Sequence, residues 1–300
     1  MQVSPRYGEK MTELILQSIY SGLLSGGAYA LVGLGLALVF GTMKVINLAH
    51  GELVLLAAYV AYMVESRFGF NPLISIPIAL VVVCLTSVIV YFLLNSIRKN
   101  RELNSLILTF GIGIILTNLV LIIWKADIRS TSIAWFQEPV VLGPLYAMHS
   151  ELALFGLSLV LVVILWWWLS RSWYGRALRA VSSNRGAATL MGINPQRVEV
   201  VSFIVAGILA TFAGVSIYCS SVIQPALGHH LTVKAFVITV LAGIGSIPGV
   251  LLGSILLGVA ESLTTTLYSS ALQELVGMML FLLVLFVLPN GLFGASRRRG

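Results

Sequence analysis

The feature that most limits the fold is a series of mostly apolar stretches, each long enough to cross a bilayer as a helix of about 20 residues. They lie at residues 14–40, 45–64, 73–95, 105–124, 151–169, 200–223 and 272–288, and a further apolar region, 233–263, is interrupted by glycine and proline. Within lipid only helices and closed barrels satisfy the backbone, and no barrel-type alternation of polar and apolar residues is present. The sequence therefore predicts an all-α, polytopic integral membrane bundle, with about eight spans plus a broken or re-entrant helix pair, forming one transmembrane domain over residues 1–300.

Composition supports this interpretation and excludes other classes. Hydrophobic residues make up 58% of the chain and charged residues only 10%, too few for a soluble surface. The net charge is +7, but the basic residues collect between and after the apolar stretches, so we expect no nucleic acid partner. Cys84 and Cys219 stand singly in apolar stretches and predict neither a disulfide nor a metal site. Because the sequence has no phosphate-binding loop and no catalytic cluster, we expect no enzymatic activity and no bound cofactor.

Charge orients the stretches, because cytoplasmic loops of membrane proteins are enriched in lysine and arginine. Basic residues at 98–101, 171–197 and 297–299 mark the cytoplasmic side, which leaves 125–150 outside. With 200–223 running outward and 272–288 running inward, region 233–263 must begin and end outside. It therefore predicts a hairpin that breaks inside the membrane, and the residues suited to its turn are Gly243, Gly245, Pro248 and Gly249.

The orientation of the N-terminus stays open at this point. If 14–40 and 45–64 are simple spans, the N-terminus lies outside. A re-entrant segment at 41–51 would instead place it inside, which Arg6 and Lys10 favour.

The longest interval between apolar stretches, 171–197, contains five arginines and no acidic residue. The sequence predicts a helix over 177–191, a left-handed cap at Gly192, and a new helix with Asn194 as N-cap and Pro195 in its first turn. This order is typical of a structured docking element. The alternative is a basic loop that serves only to fix topology.

Three segments resemble a known family. The sequence GRALRAVSSNRGAATLMGINPQRVEVVSF, within residues 170–198 and slightly beyond, is similar to the cytoplasmic coupling loop of ABC-importer permeases, whose motif of two alanines, three residues and a glycine corresponds to Ala187, Ala188 and Gly192. The acidic residue that commonly precedes the alanines is absent here. Residues 40–59 and 234–262 are similar to the branched-chain amino acid branch of these permeases.

The resemblance implies an ABC-importer permease architecture and a set of partners. These are a second permease subunit, two cytoplasmic ATPase subunits that carry the ATP, and an external solute-binding protein. Within the loop we expect Ala187 and Ala188 to contact an ATPase subunit closely, and Arg179 and Arg185 to pair with acidic residues on its rim.

Polar residues inside the apolar stretches are candidates for a substrate pathway. Lys44, Asn47 and His50 are spaced three apart on one helical face, and Glu52 follows on a neighbouring face. A carboxylate inside a span is costly, so Glu52 should face the bundle interior, a cavity or the membrane boundary. Thr109 and Asn118 are further candidates in another span. The alternative for residues 44–52 is that they satisfy helix ends at the cytoplasmic interface.

Together these features predict the permease subunit of an ABC importer in the inner membrane of a prokaryote, carrying leucine, isoleucine and valine. An ABC permease for urea or short amides is an alternative within the same class. From another class, the alternative is a secondary transporter or channel for a small polar solute, driven by an ion gradient. Only Glu52 and Glu261 come near the middle of a span, fewer acids than such carriers usually have.

Overall fold

The structure is a computed structural model that describes residues 7–97, 99–243, 246–288 and 291–293, with backbone only for 7–10. Apolar stretches without prolines in their interiors form helices throughout this part of the chain, joined by short capped turns. The helices are α1 Tyr7–Met43, α2 His50–Phe68, α3 Ile76–Asn95, α4 Arg101–Trp124, α5 Ala134–Gln137, α6 His149–Arg171, α7 Trp173–Ser183, α8 Arg185–Leu190, α9 Pro195–Ser220, α10 Leu227–Ala242, α11 Ile247–Leu267 and α12 Gln273–Val287. One antiparallel hairpin pairs β1 Pro139–Leu142 with β2 Leu145–Met148.

Seven helical stretches are long and apolar enough to cross a membrane, which confirms the all-α membrane bundle. They lie at Met11–Met43, Pro72–Asn95, Arg101–Trp124, His149–Arg171, Pro195–Ser220, Ile247–Leu267 and Ser270–Val287. The count differs from the eight or so expected. Helix α2 contains Glu52, Glu65 and Arg67 and is not uniformly apolar, while α10 has only 16 residues, too short for a full crossing.

The helices connect two sides, which we call the basic side, where α7 and α8 lie, and the hairpin side, where β1 and β2 lie. Helix α1 begins on the hairpin side, because Gln17 Nε2 donates to the Tyr146 carbonyl oxygen at 2.8 Å. It ends on the basic side, where Met43 packs in one cluster with Leu94 and Val45. The start of α1 thus lies opposite the basic loop. The expectation of an N-terminus on the same side as this loop is wrong for α1.

The chain is not helical from Lys44 to Ala49, so α2 begins at His50 and not at residue 45 as predicted. Lys44 has a left-handed backbone with φ of 55°, which stops α1. The His50 Nε2 atom lies 3.0 Å from the carbonyl oxygen of Val32, eleven residues before the end of α1. At 1.5 Å per residue this places the start of α2 about 16 Å inside the bundle. Residues 44–49 therefore re-enter the bundle as unwound chain.

Helix α10 also begins in the interior. The Gly51 nitrogen donates to Thr232 Oγ1 at 2.9 Å, and a Cβ on Gly51 would overlap the carbonyl oxygen of Gly228. The first turns of α2 and α10 consequently meet inside the bundle.

Helices α10 and α11 form the predicted antiparallel hairpin. Gly243 has φ of 82°, Ser246 caps α11 by accepting from the Gly249 nitrogen, and Pro248 lies in the first turn of α11. Gly245 lies outside the described residues. The turn borders Gly41 and other residues at the basic-side ends of α1, α6 and α7. The expected break within the membrane is therefore wrong for this turn, since α11 alone is long enough to span.

Small residues allow helix backbones to approach closely within the chain. Cβ atoms on Gly22 and Gly26 would overlap the backbone of α11, and one on Gly214 would overlap the Val54 carbonyl oxygen of α2. Ala206 and Ala210 are buried on the same helix as Gly214. These faces allow the helices of this chain to pack as a compact bundle.

Candidate transport route and coupling segment

The basic segment folds as two short helices. Asn184 interrupts the single helix predicted over 177–191, and its Oδ1 accepts from the Ala187 nitrogen at 3.0 Å as N-cap of α8. Gly192 has φ of 80°, and Asn194 Oδ1 accepts from the nitrogens of Gln196 and Arg197, as the sequence predicted. The segment is therefore locally ordered by caps at each break.

Side chains fix this segment to the membrane helices. The Tyr174 hydroxyl donates to the Val198 carbonyl oxygen at 2.7 Å, and burial raises the pKa of this phenol, so it stays neutral. Arg179 Nη1 donates to the Leu169 carbonyl oxygen at 3.0 Å, at the end of α6. These hydrogen bonds connect α7 directly to α6 and α9.

A buried ion pair adds a third connection. Arg185 Nη1 lies 3.0 Å from Glu199 Oε1, and the Glu199 side chain is almost fully buried. The Tyr91 hydroxyl of α3 donates to the second oxygen of Glu199 at 3.4 Å. Arg179 and Arg185 therefore bind groups of their own chain, and their expected pairing with acidic residues of an ATPase subunit stays a prediction.

The two alanines of the motif have different environments. Ala187 is exposed, whereas Ala188 is 4% exposed and packs in the hydrophobic core. Close contact of Ala188 with a partner is therefore blocked in this conformation by its own chain. The most exposed large hydrophobic side chains of the segment are Leu190, 89% exposed, and Met191, 81% exposed. Sequence reasoning missed both, although two large apolar residues between a capped helix and Gly192 were a visible signal.

The polar residues expected along a substrate pathway are mostly gathered around the unwound segment. Asn47 Oδ1 accepts from the Ala49 nitrogen, and Thr109 Oγ1 accepts from the Leu48 nitrogen at 3.1 Å. His50 bonds to α1, as described above. Asn118 lies apart from this group, bonding the Ile114 carbonyl within its own helix at 2.7 Å. Asn47 and Thr109 therefore satisfy backbone that leaves the helical ladder inside the bundle, whereas His50 bonds a carbonyl oxygen within α1.

Glu52 occupies the junction of α2, α4 and α10. It is 5% exposed, and its Oε2 has no hydrogen-bond partner among the described residues. A Cβ on Gly228 would overlap this carboxylate, so a larger residue at this position would require the Glu52 side chain to shift. Because the N-terminal ends of α2 and α10 both carry partial positive charge, a carboxylate between them is electrostatically favoured. The role of Glu52 in a substrate pathway stays a prediction.

A cavity of about 610 Å³ opens on the hairpin side, and we call it the polar cavity. Its polar lining includes Ser25, Tyr29, Gln224, Lys234 and Glu274. At this wall, Glu261 Oε2 accepts from Lys234 Nζ at 2.7 Å, from the Tyr29 hydroxyl at 2.8 Å and from Gln273 Nε2 at 2.9 Å. Sequence reasoning noted Glu261 but missed Lys234, whose position within an apolar stretch was the available signal.

A second cavity of about 440 Å³, the apolar cavity, lies toward the basic side. Its walls include Leu34 and Leu38 of α1, Leu165 of α6, Leu178 of α7 and Pro248 of the hairpin turn. Neither cavity is lined by any of the five predicted pathway residues.

Between the cavities, α1 packs directly on α10 and α11. A Cβ on Gly33 would overlap the side chain of Ile238 and press on Val250, and both are almost completely buried. The arrangement is therefore two chambers along α1, separated by a closed layer. The basic segment, residues 171–197, is called the coupling segment from here on. This segment and the hairpin turn form part of the wall of the apolar cavity.

Comparison with known proteins gives a consistent set of matches. Residues 18–288 match the family model described as branched-chain amino acid transport system, permease component. The chain is 30% identical over 296 residues to the high-affinity branched-chain amino acid transport system permease protein BraD of Pseudomonas aeruginosa, and 31% identical over 302 residues to LivH of Escherichia coli K12. Each alignment covers 93% of this chain and 95% of the relative. Among solved structures, PsaBC from Streptococcus pneumoniae in complex with Fab matches 95% of this chain and 94% of that one, at 14% identity and a TM-score of 0.48.

Proposed function

The chain belongs to the family of branched-chain amino acid transport permeases, and from this premise we propose that it is the membrane subunit of an ATP-driven importer for leucine, isoleucine and valine. We assign the basic side to the cytoplasm and the hairpin side to the exterior of a prokaryotic inner membrane, because arginine is concentrated on the basic side. The proposed partners are two cytoplasmic ATPase subunits, a second permease and an external binding protein.

The coupling segment is the observation that carries the ATP-driven mechanism. It presents Leu190 and Met191, each more than four-fifths exposed, on a helix braced to the bundle. Exposed apolar side chains of this size are typical anchors of a protein interface. Since Tyr174, Arg179 and Arg185 connect the segment to α9 and α6, a displacement imposed at Leu190 would reach the walls of the apolar cavity instead of being absorbed by a flexible loop.

The second permease is supported by the surface of the bundle. In α4 and in the stretch Ser270–Val287, only 11% of the most apolar window is buried inside the chain. Such exposed apolar faces must be covered by lipid or by a second membrane subunit, so they leave room for a second permease to bind.

An ion-driven carrier is less well supported by the buried acids. Glu65 accepts from Thr131, Ser132 and Tyr218, Glu199 pairs with Arg185, and Glu261 pairs with Lys234. A carboxylate fixed by such partners is poorly suited to bind and release a coupling ion. Glu52 Oε2 has no hydrogen-bond partner among the described residues, and, unlike Glu199 and Glu261, Glu52 forms no ion pair there.

The test is uptake of radiolabelled leucine by proteoliposomes containing the full chain with its co-purified subunits and binding protein. We expect uptake to require enclosed ATP and to continue when a protonophore collapses the ion gradient. Uptake that ignores ATP and stops with the protonophore would overturn the proposal in favour of the ion-driven carrier.

The coupling segment is tested in the same preparation. Leu190→Ser combined with Met191→Ser should lower retention of the ATPase subunits about tenfold, because two apolar anchors are lost from the interface. The matched control is Val141→Ser with Leu142→Ser, which removes two exposed apolar side chains on the hairpin side. Equal retention of the ATPase subunits in both variants would show that the segment does not bind them through Leu190 and Met191.

A further inference from the structure

The polar cavity contains charged groups of both signs that the coupling mechanism does not use. Lys234 and Glu274 line its wall, and both also line an adjoining cavity of about 280 Å³. The Lys234 side chain is 16% exposed and the Glu274 side chain is 56% exposed. A cation and a carboxylate facing one chamber are the complement of a zwitterion.

Lys234 is held in place with donor capacity to spare. Its Nζ donates to Glu261 Oε2 at 2.7 Å and to the Tyr29 hydroxyl at 2.6 Å, and it lies 4.4 Å from the centre of the Tyr29 ring. An ammonium group has three donors. Two are used by these partners, and the third has no partner among the described residues, so it can reach an anion in the cavity.

Glu274 is the acid best placed to receive an ammonium group. Glu261 already accepts three hydrogen bonds, as described above. Glu151 also lines the cavity, but its Oε2 accepts from the Met148 nitrogen and caps α6. Glu274 has one described partner, an ion-pair contact with His230, and more than half of its side chain is open to solvent.

Part of the remaining wall is aliphatic. Leu24 of α1, Leu154 of α6, Ile217 of α9, and Leu227 and Leu231 of α10 line the same cavity. The cavity volume of about 610 Å³ is within the range of about 300 to 1,000 Å³ typical of small-molecule sites. An aliphatic wall beside two opposite charges selects an amino acid with an apolar side chain over urea or a short amide.

We propose that the polar cavity is a substrate-binding site of this permease, in which Lys234 binds the carboxylate of the amino acid and Glu274 binds its ammonium group. The branched side chain packs on the leucines of the wall. The site rests on the proposed function, since it specifies where the transported amino acid pauses on the hairpin side of the closed layer.

The test uses photo-leucine, a diazirine analogue of leucine, with the purified full chain and its co-purified subunits in the absence of nucleotide. We expect cross-links, located by mass spectrometry, within residues 24–31 and 227–234. Leucine should compete, whereas leucinamide, which lacks the carboxylate, and 4-methylpentanoate, which lacks the ammonium group, should each compete at least about tenfold more weakly, because each loses one charge-assisted hydrogen bond.

Glu274→Gln separates recognition from folding. It should weaken competition by leucine about tenfold and leave competition by 4-methylpentanoate unchanged, because that ligand has no ammonium group to lose. Lys234→Met combined with Glu261→Gln removes both members of the buried ion pair, so that neither charge is left buried without its partner. This double variant should weaken competition by leucine but not competition by leucinamide. Glu102→Gln, an exposed acid on the basic side, is the matched control.

Any of three results would overturn the site. These are cross-links outside the cavity, absence of competition by leucine, and an equal loss of competition by leucine and by 4-methylpentanoate in Glu274→Gln. The outcome is independent of the uptake experiment. ATP-driven uptake without labelling of the cavity would contradict the binding site but not the proposed function. Labelling of the cavity together with ATP-independent uptake would contradict the ATP-driven mechanism but not the binding site.

Discussion

Glu199 shows how one residue gives the coupling segment its rigidity. Its carboxylate lies two positions after the basic interval ends, and folding buries it beneath α8, where it binds Arg185 and accepts from Tyr91. A buried carboxylate is stable only with such partners. The excess of arginine in the segment therefore serves internal pairing as well as topology.

Arg185→Ala should destabilise the folded chain, because it leaves the Glu199 carboxylate buried without its cation. We expect a loss of about 2 kcal/mol in the free energy of unfolding, less than for a fully buried pair, because solvent screens the exposed Arg185. Arg185 is 41% exposed. Adding Glu199→Gln to Arg185→Ala should recover part of this loss, measured by thermal unfolding of the purified chain.

The control for this cycle is Arg176→Ala, since Arg176 is exposed and bonds only the Arg171 carbonyl oxygen at 3.2 Å among its described contacts. If Arg185→Ala and Arg176→Ala had the same unfolding temperature, the ion pair would contribute nothing to stability.

At the scale of helices, the decisive contact is the interior meeting of α2 and α10. Two helix beginnings inside a membrane leave nitrogens and an unwound segment that must be satisfied by protein. Thr232, Thr109 and Asn47 satisfy part of this backbone, and Gly51 and Gly228 allow the close approach. The polar residues of the region thus have a structural reason to be there, whatever they contribute to transport.

Gly51→Ala should separate the two helices, because the added Cβ would overlap the Gly228 carbonyl oxygen and the Thr232 nitrogen, which are backbone atoms and cannot rotate away. We expect a loss of about 3 kcal/mol in stability, the upper part of the range for overpacking. The measurement is the unfolding temperature of the purified chain. Gly111→Ala is the matched control, since its Cβ would meet nothing within 4 Å. An equal unfolding temperature for both variants would show that the helices do not approach this closely.

At the scale of the whole molecule, the two sides of the bundle differ in their chambers and in their chemistry. The polar cavity opens on the hairpin side, the apolar cavity borders the coupling segment, and α1 passes both. Under the proposed function, the layer around Gly33, Ile238 and Val250 is the part of the bundle that would have to open for substrate to pass between the two cavities.

Orientation of the whole molecule is tested by labelling single cysteines with an impermeant maleimide, in a chain lacking Cys84 and Cys219. Gln224→Cys and Tyr268→Cys, at exposed positions flanking the α10–α11 hairpin, should react from outside intact spheroplasts, as should Leu142→Cys in β1. Met191→Cys should react only after lysis. Reaction of Gln224→Cys and Tyr268→Cys from opposite sides would contradict the hairpin.

Several features could be predicted from the sequence because they depend on short-range preferences. Apolar length determined the membrane class and most helices, and glycine, asparagine and proline determined the caps at Gly192, Asn194 and Gly243. Parity of charged segments determined that α10 and α11 form a hairpin. Each of these properties belongs to residues that are neighbours along the chain.

Only the tertiary structure decided which charges pair, where helices begin in the interior, and where the cavities lie. Lys234 bonds Tyr29, which is 205 residues away in the sequence, and Arg185 forms an ion pair with Glu199 on the next membrane helix. The sequence could not place the start of α2, because the apolar residues 45–49 suit a helix and only packing against α1 and α4 makes their unwound form stable. The physical reason is common to all three: desolvation inside the bundle determines which partner each polar group must have, and burial is a property of the packed whole, not of any local stretch.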